Sequence, residues 1–131
     1  MHNLNSFKNV EEKPKYCLVC LQPTHCMHYN IPSCYGCKSS FRRIILSGRR
    51  FTCYSENLAS FKHVLRCRAC RFDRSILMGM NPLFLKLPEG TDIDAICAEI
   101  ANRRHYLSKK YKDAKQIWMQ VMGAETSAAS S

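Results

Sequence analysis

Ten residues decide how this chain folds: Cys34-Tyr35-Gly36-Cys37-Lys38-Ser39-Ser40-Phe41-Arg42-Arg43. Their two cysteines have a C-x2-C spacing, which lets both thiolates bind one metal ion. The apolar positions recur with the period of a helix, namely Cys34, Cys37, Phe41, Ile44 and Ile45. The rest of the helix is basic or forms hydrogen bonds, at Tyr35, Lys38, Ser39, Arg42 and Arg43. We predict a helix from Cys34 to Leu46, anchored by metal and core and suited to a DNA major groove.

The cysteine content indicates metal binding. The chain has 131 residues, of which nine are cysteine. Residues 1–15 lack the apolar core of a signal peptide, and no run of about 18 apolar residues is present to span a membrane. A disulfide framework is therefore disfavoured, and we expect no membrane partner and a chain stabilised by metal.

The positive charge is concentrated in the cysteine-rich half. The whole chain has a formal net charge of +10. Residues 1–80 contain 13 Lys/Arg against 4 Asp/Glu, a net charge of +9, whereas residues 81–131 contain 7 against 6, a net charge of +1. This asymmetry indicates that the cysteine-rich half binds a polyanion.

Two C-x2-C pairs predict the first zinc site. Cys17/Cys20 and Cys34/Cys37 are separated by thirteen residues, and together they supply the four thiolates of a tetrahedral site. His25, Cys26 and His28 lie in the intervening loop, but the two outer pairs already close the site. The pattern predicts one structural zinc ion here.

A second zinc site is predicted around Cys53, Cys67 and Cys70, which supply only three thiolates. Three residues separate His63 from Cys67, a short-loop separation seen between zinc ligands, so we predict His63 as the fourth ligand. Glu56 or water is the alternative fourth ligand. A degenerate finger without metal is the alternative for the whole site.

The sequence predicts five consecutive segments. A flexible tail at 1–15 precedes a zinc-finger domain at 16–82, a hinge at 83–90, a helix at 91–122 and a disordered tail at 123–131. Within the finger domain, a second helix is predicted from Cys67 to Met78 and ends at Gly79. The last helix is predicted to begin at Asp92, after a capping-box-like sequence, and to end at Met122.

The last helix carries a heptad seam, which has two interpretations. The seam alternates by four and three along Ile93, Cys97, Ile100, Arg104, Leu107, Tyr111, Ala114, Trp118 and Val121. The first interpretation is a dimer through a coiled coil, although Tyr, Arg and Cys are poor seam residues. The second is a helix that folds back on the zinc module, or the remnant of a missing domain.

The motifs resemble those of the DNA-binding domain of nuclear hormone receptors. The resemblance covers about residues 17–82 through four segments: Cys17-Leu-Val-Cys20, His28-Tyr29-Asn30-Ile31-Pro32-Ser33-Cys34, Cys37-Lys38-x-x-Phe41-Arg42-Arg43 and Cys67-Arg-Ala-Cys70-Arg71-Phe72. It implies a small, mostly α double zinc finger with two crossed helices. It also implies that Lys38 contacts a guanine, that Arg43 contacts a base or phosphate, and that His28 and Arg71 contact phosphates.

Four departures from the family pattern change these expectations. The interval from Cys53 to Cys67 is two residues shorter than the family's, which places Asn57 or Ala59 where a cysteine is usual. The shortened loop is the family's usual dimer contact, so dimerisation through it is not expected. Ser40 replaces a usual aromatic residue and should loosen the core. Tyr35 replaces a usual Glu, so the target sequence should differ from the common half-site.

These observations predict a zinc-dependent, sequence-specific DNA-binding transcription factor of the nucleus. The family also implies a large downstream ligand-binding domain, which 131 residues do not accommodate, so we expect no small-molecule ligand. The start at Met1 and the polar ending favour a complete short chain over a fragment. The alternative function is a non-catalytic protein-interaction module with a degenerate second finger. An enzyme is not expected, because no catalytic constellation is evident.

Overall fold

The computed structural model describes residues 13–55 and 57–111, which form a mostly helical fold. A two-stranded antiparallel hairpin comes first, with β1 at Met27–His28 and β2 at Ile31–Pro32. It is followed by α1 (Tyr35–Ser47), α2 (Phe61–Arg66), α3 (Arg68–Met78), a 3-10 helix (Pro82–Phe84) and α4 (Ile93–Lys110). The predicted C-terminal tail, the continuation of the last helix to Met122 and the alternative ligand Glu56 lie outside the described residues.

Helix α1 has a capping residue at each end. Cys34 is the N-cap, and its Sγ accepts a hydrogen bond from the backbone N–H of Cys37 at 3.4 Å. Gly48 ends the helix in the left-handed conformation with a φ of 74°, and its N–H donates to the carbonyl of Ile44 at 3.2 Å. The helix predicted at Cys34 to Leu46 is thus confirmed to within one residue.

The core lies between α1 and α3. Phe41 of α1 is fully buried, with its ring centroid 5.5 Å from Phe72 of α3 and 5.9 Å from Tyr29 in the hairpin turn. Helix α3 begins at Arg68, after Cys67 as its N-cap, and ends at Gly79, where the sequence predicted its end. Ser40 lines an open cleft of about 660 Å³ beside the start of α3.

A buried arginine joins the two fingers. Arg74 of α3 is 1% exposed, and its Nε donates to the carbonyl of Leu18 at 3.2 Å. Its Nη1 donates to the carbonyl of Leu58 at 2.5 Å, and the guanidinium lies 4.6 Å from the ring centroid of Phe61. Burial lowers the pKa of Arg74 to about 10. One side chain therefore connects the first knuckle with the loop of the second finger.

Two helical segments among the described residues were not predicted from the sequence patterns. Helix α2 lies in the interval between Cys53 and Cys67, with Ser60 as its N-cap. The 3-10 helix Pro82–Phe84 occupies part of the predicted hinge, where the Asn81 side chain accepts from the N–H of Leu83 at 2.9 Å. Leu85 is 9% exposed and packs on the core, whereas Leu83 and Phe84 before it are exposed.

Helix α4 packs back onto α3 and the 3-10 helix. Asp92 caps its first turn, as the sequence predicted, by accepting from the N–H of Ala95 at 3.0 Å. The seam residues Ile100 and Leu107 are buried in the core that they share with the zinc module. Across the described residues, the seam therefore faces the same chain, which is the second of the two interpretations. No helix among these residues is long and apolar enough to cross a membrane.

Candidate metal centres and nucleic-acid interface

The first metal centre gathers the four predicted cysteines. The Sγ atoms of Cys17, Cys20, Cys34 and Cys37 lie within 4.8 Å of one another. A tetrahedron with Zn–S bonds of about 2.3 Å has Sγ–Sγ edges of about 3.8 Å. The Sγ atoms of Cys20 and Cys34 are 3.6 Å apart, which agrees with such an edge. The donor set and its spacing fit one zinc ion.

Several hydrogen-bond donors surround these sulfur atoms. The N–H of Val19 lies 3.3 Å from the Sγ of Cys17, and the Nε of Arg71 donates to the Sγ of Cys37 at 3.3 Å. Donors of this kind stabilise ligating thiolates and fix their orientation. A Cβ at Gly36 would lie 2.9 Å from Nη2 of Arg71, so the glycine leaves room for this guanidinium beside the centre.

The close packing of the thiols requires a cation for full ionisation. A hydrogen bond from Cys20 lowers the pKa of Cys17 to about 2, and the same bond raises the pKa of Cys20 to about 12. Hydrogen bonding to Cys17 also raises the pKa of Cys37. Four crowded thiolates repel one another, and a divalent cation bound by all four would offset that repulsion.

The second metal centre gathers three cysteines and one histidine. The ligand atoms of Cys53, His63, Cys67 and Cys70 lie within 4.8 Å of one another. Nε2 of His63 is 3.5 Å from the Sγ of Cys53 and 3.3 Å from the Sγ of Cys70. A tetrahedral site with Zn–S of about 2.3 Å and Zn–N of about 2.05 Å has S–N edges of about 3.6 Å. The donor set therefore fits a second zinc ion.

Helix α2 places His63 beside the three thiols. The hydroxyl of Ser60 accepts from the N–H of His63 at 3.2 Å, and Val64, the next residue, is fully buried. The helix thus orients the imidazole toward Cys53 and Cys70. Asn57 and Ala59, which stand near the family's usual cysteine position, carry an amide and a methyl group, and neither is among the usual zinc ligands. Because four donors are gathered, the alternative of a second finger without metal is disfavoured.

A basic concave surface lies along the exposed side of α1. It encloses about 940 Å³, and its lining includes all five predicted DNA-contact residues of this helix, namely Tyr35, Lys38, Ser39, Arg42 and Arg43. Every charged residue of the lining is positive. Tyr35 is 72% exposed, and Nζ of Lys38 lies 5.4 Å from its ring centroid. The arrangement suits a ligand that is anionic and offers hydrogen-bond acceptors.

The other two predicted DNA contacts, His28 and Arg71, do not line this surface. His28 lies in β1, where it is half-buried and where burial lowers the pKa of its imidazole. Arg71 lines the adjacent 660 Å³ cavity, together with Arg43 of α1. We call this second space the basic cleft. Both predicted contacts therefore lie beside α1: Arg71 shares the basic cleft with Arg43, and the charge of Lys38 also lowers the pKa of His28.

Some residues of these two surfaces were not singled out from the sequence. The basic cleft also contains Arg49, Arg66 and Arg68, and the guanidinium of Arg68 lies 5.3 Å from the ring centroid of Phe51. The concave surface also includes Phe84 and Lys86 from the predicted hinge. The charge excess of residues 1–80 was the only signal for the arginines, and Phe84 had none.

Comparison with known proteins assigns the family. A family model described as "Double treble clef zinc finger, C4 type" matches residues 15–82 and includes both metal centres. The chain is similar to nuclear hormone receptor family member nhr-154 of Caenorhabditis elegans, with 40% identity over 103 residues, 72% of this chain and 22% of that protein. Member nhr-153 of the same organism is 33% identical over 112 residues, 79% of this chain and 25% of that protein. The chain thus spans about a quarter or less of the length of these relatives. With both zinc centres inside the matched region, the chain belongs to the nuclear hormone receptor family through its C4-type DNA-binding domain.

Proposed function

We propose that this chain is a zinc-dependent transcription factor that binds specific DNA sequences in the nucleus. The family is one of DNA-binding regulators and not of enzymes. The observation that carries the proposal is the position of α1, whose exposed face presents Lys38, Arg42 and Arg43 together with hydrogen-bonding groups and no negative charge. Its other face is fixed by the first metal centre and the core.

Helix α1 is the element that reads the bases in this proposal. A major groove admits a helix, and Lys or Arg side chains recognise the O6 and N7 acceptors of guanine. Lys38, Arg42 and Arg43 supply such donors, while Tyr35 and Ser39 offer hydroxyl groups that both donate and accept. Because Tyr35 does not provide the carboxylate that accepts from cytosine, we expect a target that differs from the common half-site.

The basic cleft and His28 hold the DNA backbone in this proposal. Arg71 lines the cleft beside four other arginines, which provide several charges for phosphate oxygens. His28 supplies a further contact from the hairpin. These contacts fix the position of the duplex and carry no sequence information. We assign DNA binding to the described residues themselves.

The test of the proposal is selection of bound sites from random duplexes by the full chain, followed by a salt titration. We expect one enriched motif, and an affinity that falls steeply with salt as counterions are released. Enrichment of no motif, together with an affinity independent of salt, would instead favour the protein-interaction module.

The Lys38→Ala substitution should reduce affinity for the selected site by about 1–3 kcal/mol and relax the preference at one base pair. The reason is the loss of a donor that faces base edges. The measurement is a repeated site selection with a binding isotherm on the wild-type motif. Lys62→Ala is the matched control, because Lys62 is an exposed lysine on α2 and lines neither surface. An unchanged motif with Lys38→Ala would show that α1 does not read the bases.

We also propose that the chain is a monomer in the absence of DNA. The seam residues Ile100 and Leu107 are already buried against the zinc module, so they are not available to a second chain. Light scattering at micromolar concentration should therefore give a mass near 15.1 kDa. A mass of twice that value would support pairing through the last helix instead.

A further inference from the structure

We propose that α4 positions α1 for DNA binding, so that the DNA-binding unit of this chain extends to Lys110. The matched family region ends at residue 82, before α4 begins. The inference rests on the proposed DNA-binding function, and it assigns a role to a helix outside the matched region. Three arginines form the contacts that carry it.

The first contact joins α4 to the segment that follows α1. Arg50 donates from Nε to Oε2 of Glu99 at 2.6 Å and from Nη2 to Oε1 at 2.8 Å. Such a bidentate pair fixes both the position and the plane of the guanidinium. Hydrogen bonding by Arg50 also lowers the pKa of Glu99, so the carboxylate is ionised at neutral pH.

The same guanidinium holds the end of α1. Nη1 of Arg50 donates to the carbonyl of Ile44 at 3.3 Å, and this carbonyl belongs to the last turn of α1. The guanidinium also lies 5.5 Å from the ring centroid of Phe72, which packs against Phe41 of α1. Glu99 therefore acts on α1 through Arg50, as a positioning residue.

Two further contacts attach α4 to α3. Arg103 forms a bidentate pair with Asp73, with distances of 3.0 and 2.8 Å. Arg104 donates to the carbonyl of Ile76 at 2.8 Å and to the carbonyl of Met80 at 3.0 Å, at the C-terminal end of α3. The carbonyl of Ile76 also accepts from the N–H of Gly79 at 3.0 Å, so Arg104 adds to the cap at the end of α3.

Helix α4 lies outside the two surfaces proposed to contact DNA. Neither the concave surface nor the basic cleft includes a residue of α4 among its lining. Its three attachments instead reach the end of α1 and the middle and end of α3. A loss of these attachments should therefore change site-specific binding without removing any DNA contact.

The Glu99→Gln substitution in the full chain tests the inference, because loss of positioning and gain of charge change DNA affinity in opposite directions. The variant is more positive by one charge, so electrostatics alone would tighten binding to any duplex. Loss of positioning should instead weaken binding to the selected site by about threefold, a size typical of a partly exposed ion pair. Affinity for an unrelated duplex should stay equal or rise, so the specificity ratio should fall.

The control and the second variant separate positioning from charge and from general stability. Glu89→Gln makes the same charge change at an exposed residue before α4, and it should leave the specificity ratio unchanged. Arg50→Lys keeps the charge but loses the planar fork, so it should weaken specific binding like Glu99→Gln. The two changes together should cost clearly less than the sum of the single effects, because they remove one shared contact.

Site selection by the wild-type chain tests DNA recognition itself, and the variants test the role of α4. A wild-type chain that selects no site would overturn DNA reading itself. A wild-type chain that selects a site, with Glu99→Gln binding it equally or more tightly, would overturn the role of α4. Additive effects of Glu99→Gln and Arg50→Lys would also overturn it, since the two residues would then act separately.

Discussion

Removal of zinc should unfold the double finger, and Cys34→Ser should have nearly the same effect. The core contains the ligands themselves, because Cys17, Cys20, Cys37 and Cys70 are all buried among its apolar side chains. The free energy of zinc binding to such sites is about 10–16 kcal/mol at pH 7. That value is as large as the entire stability of a typical domain, about 5–15 kcal/mol. The measurement is helical circular dichroism before and after chelation.

Cys34→Ser isolates the loss of metal from the loss of a helix cap. The thiol of Cys34 caps α1, and serine is also a good N-cap, so the substitution removes a ligand and retains capping ability. Cys26→Ser is the matched control, because Cys26 is exposed and belongs to neither metal centre. We expect the control to keep the wild-type spectrum. A helical spectrum that persisted through both chelation and Cys34→Ser would contradict metal-dependent folding.

The elements that local spacing determines were predictable from the sequence. The C-x2-C pairs brought Cys17, Cys20, Cys34 and Cys37 into one centre, as predicted. The period of Phe41, Ile44 and Ile45 located α1 and its buried face. These patterns are reliable because a metal tetrahedron and a helical face each impose a fixed spacing on a short stretch of chain.

Short elements without a full apolar period were not predictable. Helix α2 has six residues, of which Val64 is the buried one, so it lacks a repeated apolar face. Its only local signal is the capping residue Ser60. The 3-10 helix Pro82–Phe84 similarly depends on its Asn81 cap and on the packing of Leu85, neither of which has a periodic pattern.

The partner of the last helix depends on contacts between residues distant in sequence. A seam with Ile100 and Leu107 has the same spacing whether it faces a second chain or its own zinc module. The outcome is decided by the pairs that Arg103 and Arg104 form with α3, 24 to 30 residues away. An arginine is a poor residue for a coiled-coil seam. In the folded-back arrangement, Arg104 instead donates to the carbonyls of Ile76 and Met80 at the end of α3.

His63→Ala should release the zinc ion of the second centre while the first centre keeps its own. If four ligands share an apparent binding free energy of about 10–16 kcal/mol, one ligand accounts for about 3 kcal/mol. The second ion should therefore bind about a hundredfold more weakly. The measurement is zinc stoichiometry by mass spectrometry, with affinity from competition against a chelator.

Two further variants determine whether the imidazole is the fourth ligand or a neighbour of a three-cysteine site. His63→Cys restores a fourth soft ligand, so it should again bind two ions tightly. His105→Ala removes an exposed histidine of α4 that belongs to neither centre, and it should behave as wild type. The distances of 3.5 and 3.3 Å from Nε2 of His63 to two sulfur atoms match the edges of a mixed tetrahedron. Retention of both ions by His63→Ala with wild-type affinity would assign the fourth position to water or to Glu56 and would remove His63 from the centre.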